Sequence, residues 1–98
     1  MKSDQQPRVL VLDADMVPSL AISRSLSRRY CVVDVASSTT RPLSSYSNTV
    51  GSYFHYPDPL IATDQFVEWL SEHGRSEHYD LVIPVTERTL VPLSMYRD

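Results

Sequence analysis

One cysteine, two glycines and one lysine occur in the 98 residues, and each scarcity removes a class of chemistry. The single thiol, Cys31, excludes a disulfide within the chain. With Gly51 and Gly74 as the only glycines, neither a glycine-rich dinucleotide turn nor a P-loop can be built, because both bring backbone close to a phosphate. The lone lysine, Lys2, falls in a polar leader (residues 1–7) expected to be flexible, so chemistry that needs a buried lysine is not expected. Nor is there a positive excess: nine basic against twelve acidic residues leave a formal charge of −3, and no nucleic-acid or membrane partner is expected. No run approaches the roughly 20 apolar residues of a membrane span and the leader has no apolar signal core, which leads us to expect a cytoplasmic protein.

What remains is an ordinary globular mixture, 42% hydrophobic and 21% charged, enough for one domain over residues 8–98 with a real core. Arg8-Val9-Leu10-Val11-Leu12 reads as a strand buried on both faces, ending at Asp13-Ala14-Asp15. An amphipathic helix follows over residues 18–29, with Val17, Leu20, Ala21, Ile22 and Leu26 as its apolar stripe, Ser and Arg opposite, and Asp15 as its cap. Residues 30–36 form a second strand, completing a βαβ unit. Residues 37–50, rich in Ser and Thr, read as an irregular connection with at most one helical turn near Leu43. Residues 52–56 make a short third strand ended by Pro57-Asp58-Pro59. Thr63 caps the next helix, whose stripe is Ala62, Phe66, Trp69, Leu70 and His73 and whose C-cap is Gly74. Residues 80–85 form a fourth strand with Pro84 near its end, and Thr86 caps a last helix carrying Leu90, Leu93 and Met95.

This order predicts a three-layer, Rossmann-like α/β domain with four mostly parallel strands in the order 3-2-1-4. Ligands of such sheets sit beyond the carboxyl ends of the strands where connections diverge, here between the first and fourth. Asp13, Asp15, Thr39, Arg41, Thr86 and Glu87 are therefore the candidate cleft residues. Each also has a plainer role. Asp15 can cap a helix, Asp13 can hydrogen-bond loop amides, and Glu87 is favoured in a first turn by the helix dipole alone. Cys31, His55, His73 and His78 lie in different elements without ligand spacing, so they read as packed or solvated side chains and no metal site is expected. No Ser-His-Asp arrangement can be claimed from abundant serine.

Four strings together carry a family resemblance: Val9-Leu10-Val11-Leu12-Asp13-Ala14-Asp15, the helix from Ser19 to Leu26, the residues from Ser44 to Val50 before Tyr53-Phe54-His55-Tyr56-Pro57-Asp58-Pro59, and Asp80-Leu81-Val82-Ile83-Pro84-Val85-Thr86-Glu87. From Arg8 onward the chain resembles the N-terminal pre-ATP-grasp domain of ATP-grasp ligases, in the carbamoyl-phosphate-synthase-like and carboxylate–amine ligase group. The resemblance implies a parent enzyme that uses ATP and magnesium to make an acyl phosphate and join it to an amine or another nucleophile. It implies that nucleotide and metals are held by later domains of the parent, so that this chain is a truncated piece with no cofactor and no catalytic residue of its own. Its partners would be those domains and a small-molecule acceptor, held with the help of Asp13, Asp15, Thr86 and Glu87. Where relatives often carry glycine in the first turn, this chain has Asp13-Ala14-Asp15.

Two other readings remain. A response-regulator receiver would use Asp13 and Asp15 as magnesium acids, Asp58 as phosphoacceptor and Thr86 as the strand-end hydroxyl. Against it stand the acids' separation by Ala14, the prolines flanking Asp58 and the missing helix in residues 37–50. A non-catalytic ligand-binding or protein-binding α/β module needs no motif. An apolar surface around Leu90, Val91, Leu93 and Met95 leads us to expect a homodimer.

Overall fold

The computed structural model describes residues 6–39 and 51–96. Its elements run β1 (Arg8–Val11), α1 (Val17–Arg28), β2 (Val32–Ser37), β3 (Tyr53–His55), α2 (Thr63–Glu77), β4 (Leu81–Ile83) and α3 (Glu87–Tyr96). The four strands are parallel throughout and ordered β3-β2-β1-β4, as the alternation of strand and helix signals predicts. β1 occupies the middle because its continuous apolar run suits burial on both faces, and Val9, Leu10 and Val11 are all buried.

The period-two alternation of strand side chains divides the core between two layers. Val9, Val11, Val33 and Val35 face α1 and meet Leu20, Ile22 and Leu26. Leu10, Leu12 and Ala36 face the opposite layer, where α2 contributes Phe66 and Leu70 and α3 contributes Leu93. The helix joining β1 to β2 thus lies on one face and the helix leading into β4 on the other. Their divergence puts at the carboxyl ends of β1 and β4 the switch point where sheets of this kind have their ligand crevice. No helix among the described residues is long and apolar enough to cross a membrane.

Several local expectations need correction. Met16, not Asp15, is the N-cap residue of α1, and no side chain caps that helix. Its predicted stripe holds at Leu20, Ile22 and Leu26 but not throughout: Val17 is 73% exposed and Ala21 is exposed, whereas Ser19 and Ser23 are fully buried. These small side chains fit against the core, the Ser19 hydroxyl finding carbonyl acceptors at the end of β1 and that of Ser23 one within its own helix. Ser19 Oγ donates to the Leu12 and Asp13 carbonyls at 3.0 and 2.6 Å, and Ser23 Oγ to the Ser19 carbonyl at 2.8 Å.

In α2 the N-cap is Ala62, while Thr63 Oγ1 donates back to the Pro59 carbonyl at 2.6 Å. Gly74 does not stop this helix, which continues to Glu77 and ends on His78 in the left-handed region at φ 56°. The second strand starts at Val32, because Tyr30 adopts φ 69° to turn the chain out of α1. The expected irregular connection, with its turn near Leu43, falls largely in residues 40–50, outside the described residues.

Candidate functional site

Asp13 follows β1 directly and sits at φ 58°, a backbone conformation that aspartate tolerates better than most residues. That kink separates two ladders. Leu12 N–H still bonds the Ile83 carbonyl of β4, while Ala14 N–H bonds the Ala36 carbonyl of β2. The Asp13 side chain points into the gap and is fully buried. Its Oδ2 accepts from the Val85 and Thr86 amides at 3.1 and 2.9 Å and from Thr89 Oγ1 at 2.6 Å. Its Oδ1 accepts from Arg88 Nε at 2.8 Å, and its own amide donates to Tyr56 Oη at 3.0 Å. One carboxylate thus ties the end of β1 to the start of α3.

Arg88 continues the network. Its Nη2 reaches both oxygens of Asp15, at 2.8 and 2.9 Å, so one guanidinium joins two carboxylates. Burial pushes the Asp13 carboxyl up, but the hydrogen bonds from Thr89, Arg88 and the two amides outweigh it and hold the group below the ordinary aspartate value. For Arg88 burial acts to lower the value, and the paired Asp15 and Asp13 raise it well beyond that of a free guanidinium. Burial pushes the Tyr56 phenol up, so this hydroxyl stays protonated.

Of the six predicted cleft residues, the structure brings four together. Asp13, Asp15 and Thr86 meet around Arg88 and the start of α3, and Glu87 stands exposed in the first turn of that helix. Thr86 does not cap α3 through its hydroxyl. Thr86 Oγ1 is buried without a partner among the described residues, and Asp13 supplies the acceptor instead. Thr39 lies in a different cluster beyond β2, where Ser37 Oγ bonds Thr39 Oγ1 at 3.0 Å and also contacts the Tyr53 hydroxyl. Arg41 lies outside the described residues.

Sequence reasoning missed Arg88 and Tyr56. A basic residue in the first turn of a helix opposes the helix dipole, and that mismatch was the one available signal that Arg88 answers to nearby acids. Tyr56 gives no such signal, since an aromatic at a strand end is ordinarily core. The geometry also bears on the receiver-like arrangement. In the doubly wound order that receivers share, the third strand lies beside the first, whereas β3 here pairs with β2. Asp58 Oδ1 instead accepts from the Leu60 amide at 2.9 Å, fixing the turn before α2.

A second polar network braces the other end of β1. Arg8 Nη2 bonds Asp34 Oδ2 and Glu77 Oε1, each at 3.1 Å, and the guanidinium lies 5.0 Å from the centre of the Tyr79 ring. Tyr79 Oη donates to Asp34 Oδ2 at 2.7 Å, so it accepts from His73 Nε2 at 2.9 Å. His73 is stacked on Trp69 with ring centres 4.7 Å apart and also meets Phe54 of β3 and Tyr79 of the turn before β4, so it is a packed histidine.

No group of three or more His, Cys, Asp or Glu residues among the described residues is placed to hold a metal ion. No family model, curated protein or solved structure matches the chain.

Proposed function

We propose that this chain is the substrate-side N-terminal platform of an ATP-dependent carboxylate–amine ligase of the ATP-grasp type, holding an acceptor and carrying out no chemistry alone. The observation that supports this reading best is the state of the crevice between β1 and β4. Its two acids are already joined by Arg88, with Asp13 used to fasten α3, so the crevice offers a rigid wall rather than a pair of free carboxylates. A wall of that kind positions a ligand.

ATP and magnesium, which such a parent requires, do not fit the residues here. Two or more carboxylate or phosphate oxygens would have to reach the metal, and those of Asp13 and Asp15 are taken by Arg88, by the Val85 and Thr86 amides and by Thr89. Both glycines lie away from the first strand turn, so no close phosphate cradle forms there. Nucleotide and metal would be bound on the parent's other domains, which also supply the reacting groups.

Calorimetric titration of the chain with magnesium–ATP is expected to give no saturable heat, and saturable binding would overturn the platform reading. The gene is expected to encode, downstream, a glycine-rich loop and paired acidic residues. Acetyl phosphate with magnesium should add no mass at Asp58, because its carboxylate is committed to the Leu60 turn. A phosphoryl adduct lost in Asp58→Asn would instead favour the receiver-like reading.

A further inference from the structure

Beside the crevice, an open groove of about 370 Å³ runs between residues 59–63 and the first half of α3. Pro59 and Pro92 form a buried apolar floor, and the exposed side chains of Leu60 and Val91 flank it. Arg88 and Glu87 supply the charged wall. Small-molecule sites are mostly apolar clefts of roughly 300–1,000 Å³ with a few polar groups, and this one lies at the small end.

The charges on that wall choose the ligand. Arg88 is the one cation of the lining and is paired with Asp13 and Asp15, which lie outside the groove, while Glu87 adds a carboxylate on the lining itself, so the neighbourhood is net negative. Arg88 is already committed through Nε and Nη2. The Glu87 carboxylate has no hydrogen bond or ion pair with another described residue, and it is exposed. A carboxylate ligand would meet repulsion, whereas a cation would find a free anion. A hard metal ion wants several oxygens, and besides Glu87 the lining offers only the Thr63 hydroxyl, already bonded to the Pro59 carbonyl, and hydrocarbon. A quaternary ammonium wants an aromatic cage, and no aromatic ring lines the groove.

We propose that this groove binds a small primary amine on an apolar body, an alkyl- or arylalkyl-ammonium ion whose nitrogen pairs with Glu87 while its hydrocarbon covers Pro59, Leu60, Val91 and Pro92. The N–H donors of a primary ammonium match a lone carboxylate, and burial of the hydrocarbon supplies the remaining attraction. The site stands without a ligase parent, since an amine-sensing module would use the same groove.

The test is an amide-resolved NMR titration of the full chain with phenethylamine, with 3-phenylpropionate as the ligand of like body and opposite charge. Phenethylamine should give saturable shifts confined to residues 60–63 and 87–92, with the roughly millimolar affinity ordinary for so small a ligand. The carboxylate should give none there. Glu87→Gln should weaken amine binding roughly two- to fivefold, the range of an exposed ion pair. Val91→Lys, which places its own ammonium beside the groove, should abolish binding, with thermal melting checking that both variants remain folded. Equal binding of the carboxylate, undiminished binding by either folded variant, or no localised saturable shift would overturn the proposal. Because no nucleotide is present, these outcomes are independent of the magnesium–ATP titration that tests the ligase reading.

Discussion

The buried Asp13 carboxylate accepts four hydrogen bonds, and the balance of its environment sets its consequences. Replacing it with asparagine removes the charge opposite Arg88 and turns an amide N–H₂ toward groups that are themselves donors. Breaking a buried ion pair by removing one partner typically costs about 3–5 kcal/mol, so Asp13→Asn should lose stability on that scale in urea unfolding. The same carboxylate gives the fold a pH dependence. Its folded pKa lies below its unfolded value, so its stabilisation is complete above about pH 4 and is lost as pH falls through the folded value. The wild-type chain should therefore lose stability more steeply than Asp13→Asn on acidification below about pH 4. His73 acts at higher pH. Burial among Phe54, Trp69 and Tyr79 lowers its pKa, and Arg8 acts with burial, while Glu77 and Asp34 act against it. Its NMR titration midpoint should fall below about 6.5, with stability lost as pH drops through that midpoint.

At the scale of elements, α2 shows where local signals mislead. Gly74 has the identity of a helix terminator, yet its φ is not positive and a Cβ there would meet nothing within 4 Å. Gly74→Ala should accordingly stabilise the protein by about 0.5–1 kcal/mol, read as a rise in thermal midpoint. Gly51 behaves oppositely, since an added Cβ would stand 3.0 Å from Asp34 Oδ1, the carboxylate side chain bonded to Arg8 and Tyr79. Gly51→Ala should destabilise the fold in the same assay. In α3, the exposed Leu90 and Val91 and the partly buried Leu93 show that the expected apolar face exists, although only Leu93 of these packs against the sheet.

For the whole molecule, the sheet leaves one flank open. β4 is an edge strand whose Leu81 is 52% exposed, and α1 does not extend over it, having its packing on β1 and β2. The exposed apolar side chain makes this an edge of the kind that pairs with other chains. Light scattering at increasing concentration should reveal self-association, and Leu81→Lys should suppress it without altering the thermal midpoint by more than about 0.5 kcal/mol equivalent, as for other exposed positions.

By itself the sequence determined the number of strands, their order and the two-sided helical covering, because runs such as 8–12 and stripes such as Phe66, Trp69 and Leu70 carry their burial in local periodicity. It also placed Asp13, Asp15, Thr86 and Glu87 at one end of the sheet, since chain direction alone fixes where strand ends lie. Only the tertiary structure decided what those residues do. Asp13 meets Thr89 across 76 positions, and Asp15 leaves the cap of its own helix for an arginine 73 positions away. Burial of Ser19 and Ser23 was hidden for a different reason: their acceptors are near in the chain, but which face of α1 lies against the sheet is set by packing. Local spacing specifies the elements, whereas the partners of a buried charge are chosen by the packing of elements distant in the chain.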